Sequence, residues 1–317
     1  MQDKIELVED EEFLPPELQY QIAEYLPTSE FLNFFEAIQY SPLFRPLLDD
    51  HQTIHFFLQH VVRGEHEAVR EMLLTEDIHL IFKRGCVTDC SGRTFESISA
   101  FEYALWALDE PMWMTMLECI PQNKEGNQVF ARLGSQYNKV TTKGVRYSLN
   151  GEATTENHFD FELLIQALRT QVELINAPGI KDWDAIDTHW REVVGNAQRD
   201  LPMHVVFEYC SNQPFWPLPE FNSEPKSSQQ FYNFGTRQYE NWFAENSKLG
   251  VDFAIYLARC RVGLPLRIAT GGAVAAMLDA ILALCEVRTL AFINLGPLRL
   301  GLEGQTTVDN QPPVVPM

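Results

Sequence analysis

The chain has 317 residues, with 24 lysines and arginines against 44 aspartates and glutamates, for a formal charge of −20. That acidity argues against nucleic acid and anionic membrane surfaces as partners, because both are bound by Lys and Arg displacing counterions. A hydrophobic fraction of 45% is ordinary for a globular protein, no run of about 20 apolar residues offers a membrane span, and six cysteines in a chain of this length read as thiols of a reducing compartment.

Residues 1–12 hold six acids and one lysine and read as a solvated acidic tail, not a secretory signal. From Phe13 to Leu48 the pattern is one of short helices. Leu14, Leu18, Ile22 and Leu26 recur every fourth residue, Pro15 and Pro16 suit a first helical turn, and Pro27 ends the helix. Thr28 or Ser29 can cap the next helix, which carries Phe31, Leu32, Phe34 and Phe35, and Ser41-Pro42 opens a third. Ile54–Val62 and Glu65–Leu74 predict an antiparallel helical pair around Gly64. An extended stretch follows from Ile81 to Ile98, with a turn at Ser91-Gly92. A second pair, Ala100–Leu108 and Met112–Ile120, breaks at Asp109-Glu110-Pro111. Residues 121–153 are polar and read as a loop or irregular hairpin. Phe159–Ile175 and Trp183–Ala197 are amphipathic, with Trp183 and Trp190 expected on the apolar side of the second. Residues 211–250 form a loop-rich region pinned by aromatics, Phe215, Trp216 and Phe221 among them. Val251–Val287 returns to helix, with Ile268–Cys285 expected as a buried helical hairpin or pair of helices.

Leu14-Pro15-Pro16-Glu17-Leu18, then Ile22, Leu26 and Phe31-Leu32, resembles the F-box. In that family the segment docks on the adaptor Skp1 of a cullin ubiquitin ligase. The resemblance implies a partner-binding surface of Leu14, Pro15, Leu18, Ile22, Leu26 and Leu32. An alternative is that these residues only pack on the next unit. The stretch from His60 to Leu74, with Gly64 and Val69-Arg70-Glu71-Met72-Leu73, is similar to the rear half of an ankyrin repeat, and Asp89 to Leu117 resembles a following one. Such repeats supply a concave binding surface or a structural spacer. The whole order resembles effector proteins that intracellular bacteria deliver into host cells, for example by type IV secretion; Asp89–Trp113 and Leu201–Cys210 carry that likeness. It implies the host cytoplasm as the place of action.

The expected fold is mainly α. An acidic tail (1–12) precedes F-box-like helices (13–50) and ankyrin-like helical pairs with a short β-hairpin insertion (51–122). A helical, aromatic-rich C-terminal domain (123–303) and a disordered tail (304–317) follow. The leading functional reading is a non-enzymatic adaptor that links an unknown protein substrate to Skp1, with no cofactor or metal. A second is an ankyrin-like binding module without a ligase link. A third is a thiol enzyme with Cys210 as nucleophile and His204 as base, oriented by Asp252, Asp279 or Glu208. Weaker patterns are Cys86 and Cys90 with His79 as a zinc site, lacking a second ligand pair, and His51 and His55 as a metal pair. Gly271-Gly272 lacks the Lys and spacing of a phosphate loop.

Overall fold

A computed structural model of the protein describes residues 45–209, 211, 215–223, 230–233, 237–241 and 271–299. The F-box-like segment from residue 13 to 44, Cys210, Asp252 and the tail after 304 lie outside the described residues. Among the described residues the protein is mainly helical, with a small four-stranded antiparallel sheet whose strands lie side by side in chain order.

Helix α1 (Arg45–Val62) runs continuously through residue 50, where the sequence suggests a boundary. It turns at Gly64 into α2 (His66–Thr75). Gly64 has φ +69°, and a Cβ there would lie 2.5 Å from the Phe207 ring, so both backbone and packing require glycine. A 3₁₀ turn (Ile78–Phe82) leads to β1 (Arg84–Thr88) and β2 (Thr94–Ser99), which pair antiparallel from Arg84 opposite Ser99 to Thr88 opposite Thr94. The second helical pair follows as α3 (Ala100–Trp106) and α4 (Glu110–Glu118). Ser99 and Glu102 cap α3 reciprocally, and Asp109 caps α4 by accepting from the Met112 N–H at 3.1 Å. α1 packs on α3 and α2 on α4, so the two pairs stack.

The reading of residues 121–153 as a loop or irregular hairpin holds for the hairpin that begins at Val145 and is corrected before it: Lys124–Lys143 is a 20-residue helix, α5. Asn123 caps it through the Gly126 N–H at 2.9 Å, and Val129, Leu133 and Val140 form a sparse buried stripe. β3 (Val145–Leu149) and β4 (Glu152–Glu156) complete the sheet, with Ser148 opposite Thr94 of β2. α6 (Glu162–Asn176) follows. α7 (Trp183–His189) passes through a π turn (Trp190–Val194) into α8 (Gly195–Arg199). Trp190 is buried as expected, but Trp183, in the first turn of α7, is exposed. α9 (Met203–Tyr209) and a hairpin of β5 (Gln230–Asn233) and β6 (Gln238–Asn241) precede α10. α10 is one unbroken 29-residue helix, Gly271–Arg299, where the sequence suggests a hairpin or helix pair.

The sheet and helices meet on an aromatic cluster. Trp106 lies 5.0 Å from Phe95, 5.4 Å from Tyr147 and 6.0 Å from Phe159, ring centre to ring centre. Buried among them, the Arg93 guanidinium sits 5.3–5.4 Å from the Trp106, Tyr147 and Phe159 rings. It donates to the Asp200 carbonyl and to Ser91 Oγ, both at 2.6 Å. Asp89 Oδ1 in turn accepts from the Ser91 and Arg93 N–H groups, each at 3.0 Å. Arg93 thus ties the β1–β2 turn to the end of α8.

At the C-terminal end of α10, Pro297 has no N–H to give the carbonyl four residues back. Tyr137 Oη on α5 stands 3.1 Å from the Phe292 carbonyl and 3.3 Å from that of Ile293, and supplies a donor there. Its ring fits only because residue 296 is glycine: a Cβ would lie 2.6 Å from Tyr137 Cε1.

Two substitutions test this packing. Arg93→Ala is expected to cost about 3 kcal/mol or more in urea denaturation, and Arg93→Lys about 1–2, because an ammonium cannot stack and bridge at once. Gly296→Ala, which ordinarily gains up to about 1 kcal/mol in a helix, is expected to lose about 1–3 here by overpacking. In a Tyr137→Ala background the sign should revert to a gain.

Candidate functional site

α10 is apolar in composition around most of its circumference, yet the fold buries one face. Val274, Met277, Ile281, Leu284, Arg288, Phe292 and Leu295 recur at steps of three and four and are buried, largely against α6 and α4. On the other face Asp279, Leu282, Glu286, Leu290 and Ile293 recur at the same steps and are exposed. Leu290 is 51% and Ile293 54% exposed. A helix apolar on both faces is ordinarily covered on both, so an open one is a candidate interaction surface.

The loop after α9 turns this face into a groove. Phe215 is buried, with its ring edge-on to Tyr209 at 5.5 Å and to Phe221 at 6.2 Å, which fastens the loop to α9. Its neighbour Trp216 is 67% exposed, and Leu218 is also exposed. Phe215, Trp216 and Leu218 form one wall; Ala276, Asp279, Leu282, Ala283 and Glu286 form the other, around a volume of about 380 Å³. A larger cleft, about 540 Å³, lies between the sheet and α5, lined by Arg84, Glu102, Lys139, Arg146 and Tyr147 among others. There Arg84 and Lys139 both bond the buried Glu102 carboxylate, Lys139 at 3.0 Å, so those charges are satisfied internally.

Behind the groove, Arg288 anchors α10. Its guanidinium is 1% exposed and meets Glu110 of α4 at 2.9 Å and Glu208 of α9 at 3.6 Å. Asp109 adjoins this pair, with its Oδ1 3.8 Å from His66 Nε2. Burial would raise the Asp109 carboxyl, but His204, His66 and Arg288 hold it below the usual range. Burial pushes Glu208 up to about 7, partly opposed by Arg288. Burial likewise pushes His204 down to about 4, against the pull of Asp109.

His204 itself is held inside the fold. It is buried, and its Nε2–H donates to the Ala107 carbonyl at 2.7 Å. Of the groups considered for orienting it, Glu208 turns to Arg288 and Asp279 lies exposed on the groove side of α10. Cys86 sits half-buried on β1, and burial pushes the Cys90 thiol up to about 11. His79 lies in the 3₁₀ turn, its Nε2 3.7 Å from Glu125. His51 and His55 both lie on α1. Among the described residues no three His, Cys, Asp or Glu side chains are grouped to hold a metal ion. The sequence reading missed Arg288. The signal for it was a lone cation deep in an apolar helical run.

Residues 163–297 match the family described as the CBUA0006 C-terminal domain, a span that holds the groove, Glu208 and Arg288. The chain is similar to the uncharacterized protein CBUA0006 of Coxiella burnetii (strain RSA 493 / Nine Mile phase I), at 35% identity over 269 residues covering 78% of this chain and 75% of that protein. No solved structure matches the chain.

The buried ionic cluster carries a pH signature of definite sign. The folded state holds the Glu208 proton up to about pH 7, while the unfolded chain releases it near 4.5, so this group subtracts stability as pH rises between them. His204 acts oppositely. The unfolded chain takes up its proton near 6.5 and the folded state only near 4, so stability is lost as pH falls through that window. Glu208→Gln removes the first effect. Relative to wild type, the variant is expected to gain roughly 2–3 kcal/mol in urea denaturation between pH 5 and pH 8. An unchanged difference at the two pH values would contradict the assignment.

Proposed function

The chain belongs to the family of the Coxiella burnetii protein CBUA0006, and within it we propose that this protein is a non-enzymatic adaptor. The C-terminal domain captures a protein partner in the groove beside Trp216. The N-terminal segment hands that partner to a cullin ubiquitin ligase through Skp1. The observation that carries the capturing half is the open face of α10, where Leu282 lines the groove with Trp216 and Leu218 and where Leu290 and Ile293 stand exposed further along the helix. An apolar surface of this kind is costly unless something covers it.

The ligase half rests on sequence. Leu14, Pro15, Leu18, Ile22, Leu26 and Leu32 follow the F-box spacing, and a surplus of apolar residues on a short amphipathic helix suits a partner groove. The stacked pairs α1–α2 and α3–α4 are consistent with the ankyrin-like resemblance, and they serve as the rigid spacer between the two ends. Action in a host cytoplasm follows from the likeness to translocated effectors, and the Coxiella origin of the relative supports it. No helix among the described residues is long and apolar enough to cross a membrane.

A binding module without a ligase link would use the same groove and differ only at the N-terminus. A pulldown of the full chain with purified Skp1 separates the two. Wild type is expected to bind, and Leu14→Ala/Pro15→Ala to bind roughly 30- to 1000-fold more weakly, for a loss of about 2–4 kcal/mol. If wild type does not bind Skp1, the adaptor reading fails.

A further inference from the structure

We infer that the groove takes a basic amphipathic helix of the partner protein. An apolar side chain of that helix lies between Trp216 and Leu282, and its lysines or arginines lie against Asp279 and Glu286. The inference rests on the capturing half of the reading above and adds the chemistry of what is captured.

The charges of the groove choose the occupant. Among the described residues that line it, Asp279 and Glu286 are the ionisable ones, and both are acidic. They stand seven residues apart on one face of α10, a separation of about 10 Å along the axis. Leu282 and Ala283 lie between them, so an apolar floor is framed by two negative poles. A ligand complementary to this surface has an apolar centre and a cation at each end.

The shape chooses its form. The open stripe continues beyond the groove through Leu290 and Ile293 at the same helical steps. A helix laid alongside α10 follows that stripe over three turns, which an isolated side chain or small molecule would not. On such a helix the cations fall at positions i and i+7, with apolar residues at i+3 and i+4 between them. A second copy of this chain is disfavoured, because each copy would bring carboxylates, and a net charge of −20, against the other's.

The test uses the full chain and three labelled synthetic helices, read by fluorescence anisotropy. One carries Lys at i and i+7 with Leu at i+3 and i+4 between them. One has Glu in place of every Lys, and one is a scramble of the first. Wild type is expected to prefer the basic helix at least tenfold over both others. Trp216→Ala should weaken that binding at least tenfold. Asp279→Lys/Glu286→Lys should reverse the preference towards the acidic helix. Glu71→Lys/Glu152→Lys makes the same change of charge at exposed positions outside the groove and should keep the wild-type order. All substituted side chains are exposed, and circular dichroism checks that each variant folds.

A groove charge swap that leaves the preference unchanged overturns the proposal, as does a Trp216→Ala variant that binds like wild type. A wild-type dimer abolished by Trp216→Ala also overturns it, by assigning the groove to a second copy. Skp1 capture by the same variants keeps the two readings apart. Helix binding without Skp1 binding leaves this inference standing and removes the ligase link; Skp1 binding without helix selectivity does the reverse.

Discussion

The contacts of the buried Arg288 guanidinium with Glu110 and Glu208 fix how α10 sits on α4 and α9. A guanidinium taken fully out of water costs several kcal/mol unless its partners are in place. The helix that carries it therefore has few acceptable positions: a shift of one residue would swing the cation away from both carboxylates. Glu110 lies in the first turn of α4 and Glu208 on α9, so one side chain joins the stacked helical pairs to the C-terminal domain. The groove inherits this precision. The loop that forms its other wall hangs from Tyr209, one residue past Glu208, through Phe215.

A second buried cation, Arg93, plays a comparable part at the sheet. It faces three aromatic rings and two oxygen acceptors, an arrangement suited to a planar, weakly hydrated ion. Residues 89–113 contribute Arg93, Trp106, Asp109 and Glu110 to these two centres, and residues 201–209 contribute His204 and Glu208. Both stretches are largely buried.

Periodicity and punctuation made the helical pairs legible. Gly64 marked one turn, and Asp109 with Pro111 marked the other, because left-handed backbone and capping oxygens restrict residue type. α5 was not legible. Its stripe of Val129, Leu133 and Val140 is thin, and its remaining residues are mostly polar, so helix and loop read alike until packing decides. α10 failed in the opposite way: its apolar residues run almost all round, so no period shows which side is covered. Trp216 and Phe215 read as equal anchors in sequence, and only the fold turns one inward and the other out. The candidate catalytic and metal patterns were spacings of reactive residue types. Distance and direction, which spacing does not encode, put His204 on a carbonyl and Glu208 on Arg288.

α10 also has a mechanical consequence. At 1.5 Å per residue its 29 residues make a rod of about 43 Å. The rod is bedded along one side and pinned at two points, Arg288 and the Tyr137 contact beside Gly296. The groove lies on the stretch before the first pin. Held at both points, the rod neither slides nor turns under a load applied there, and the thrust passes through Arg288 into α4 and α9. The helix is thus a stiff beam seated on a buried charge, and a force on its outer face reaches the stacked helical pairs through that charge.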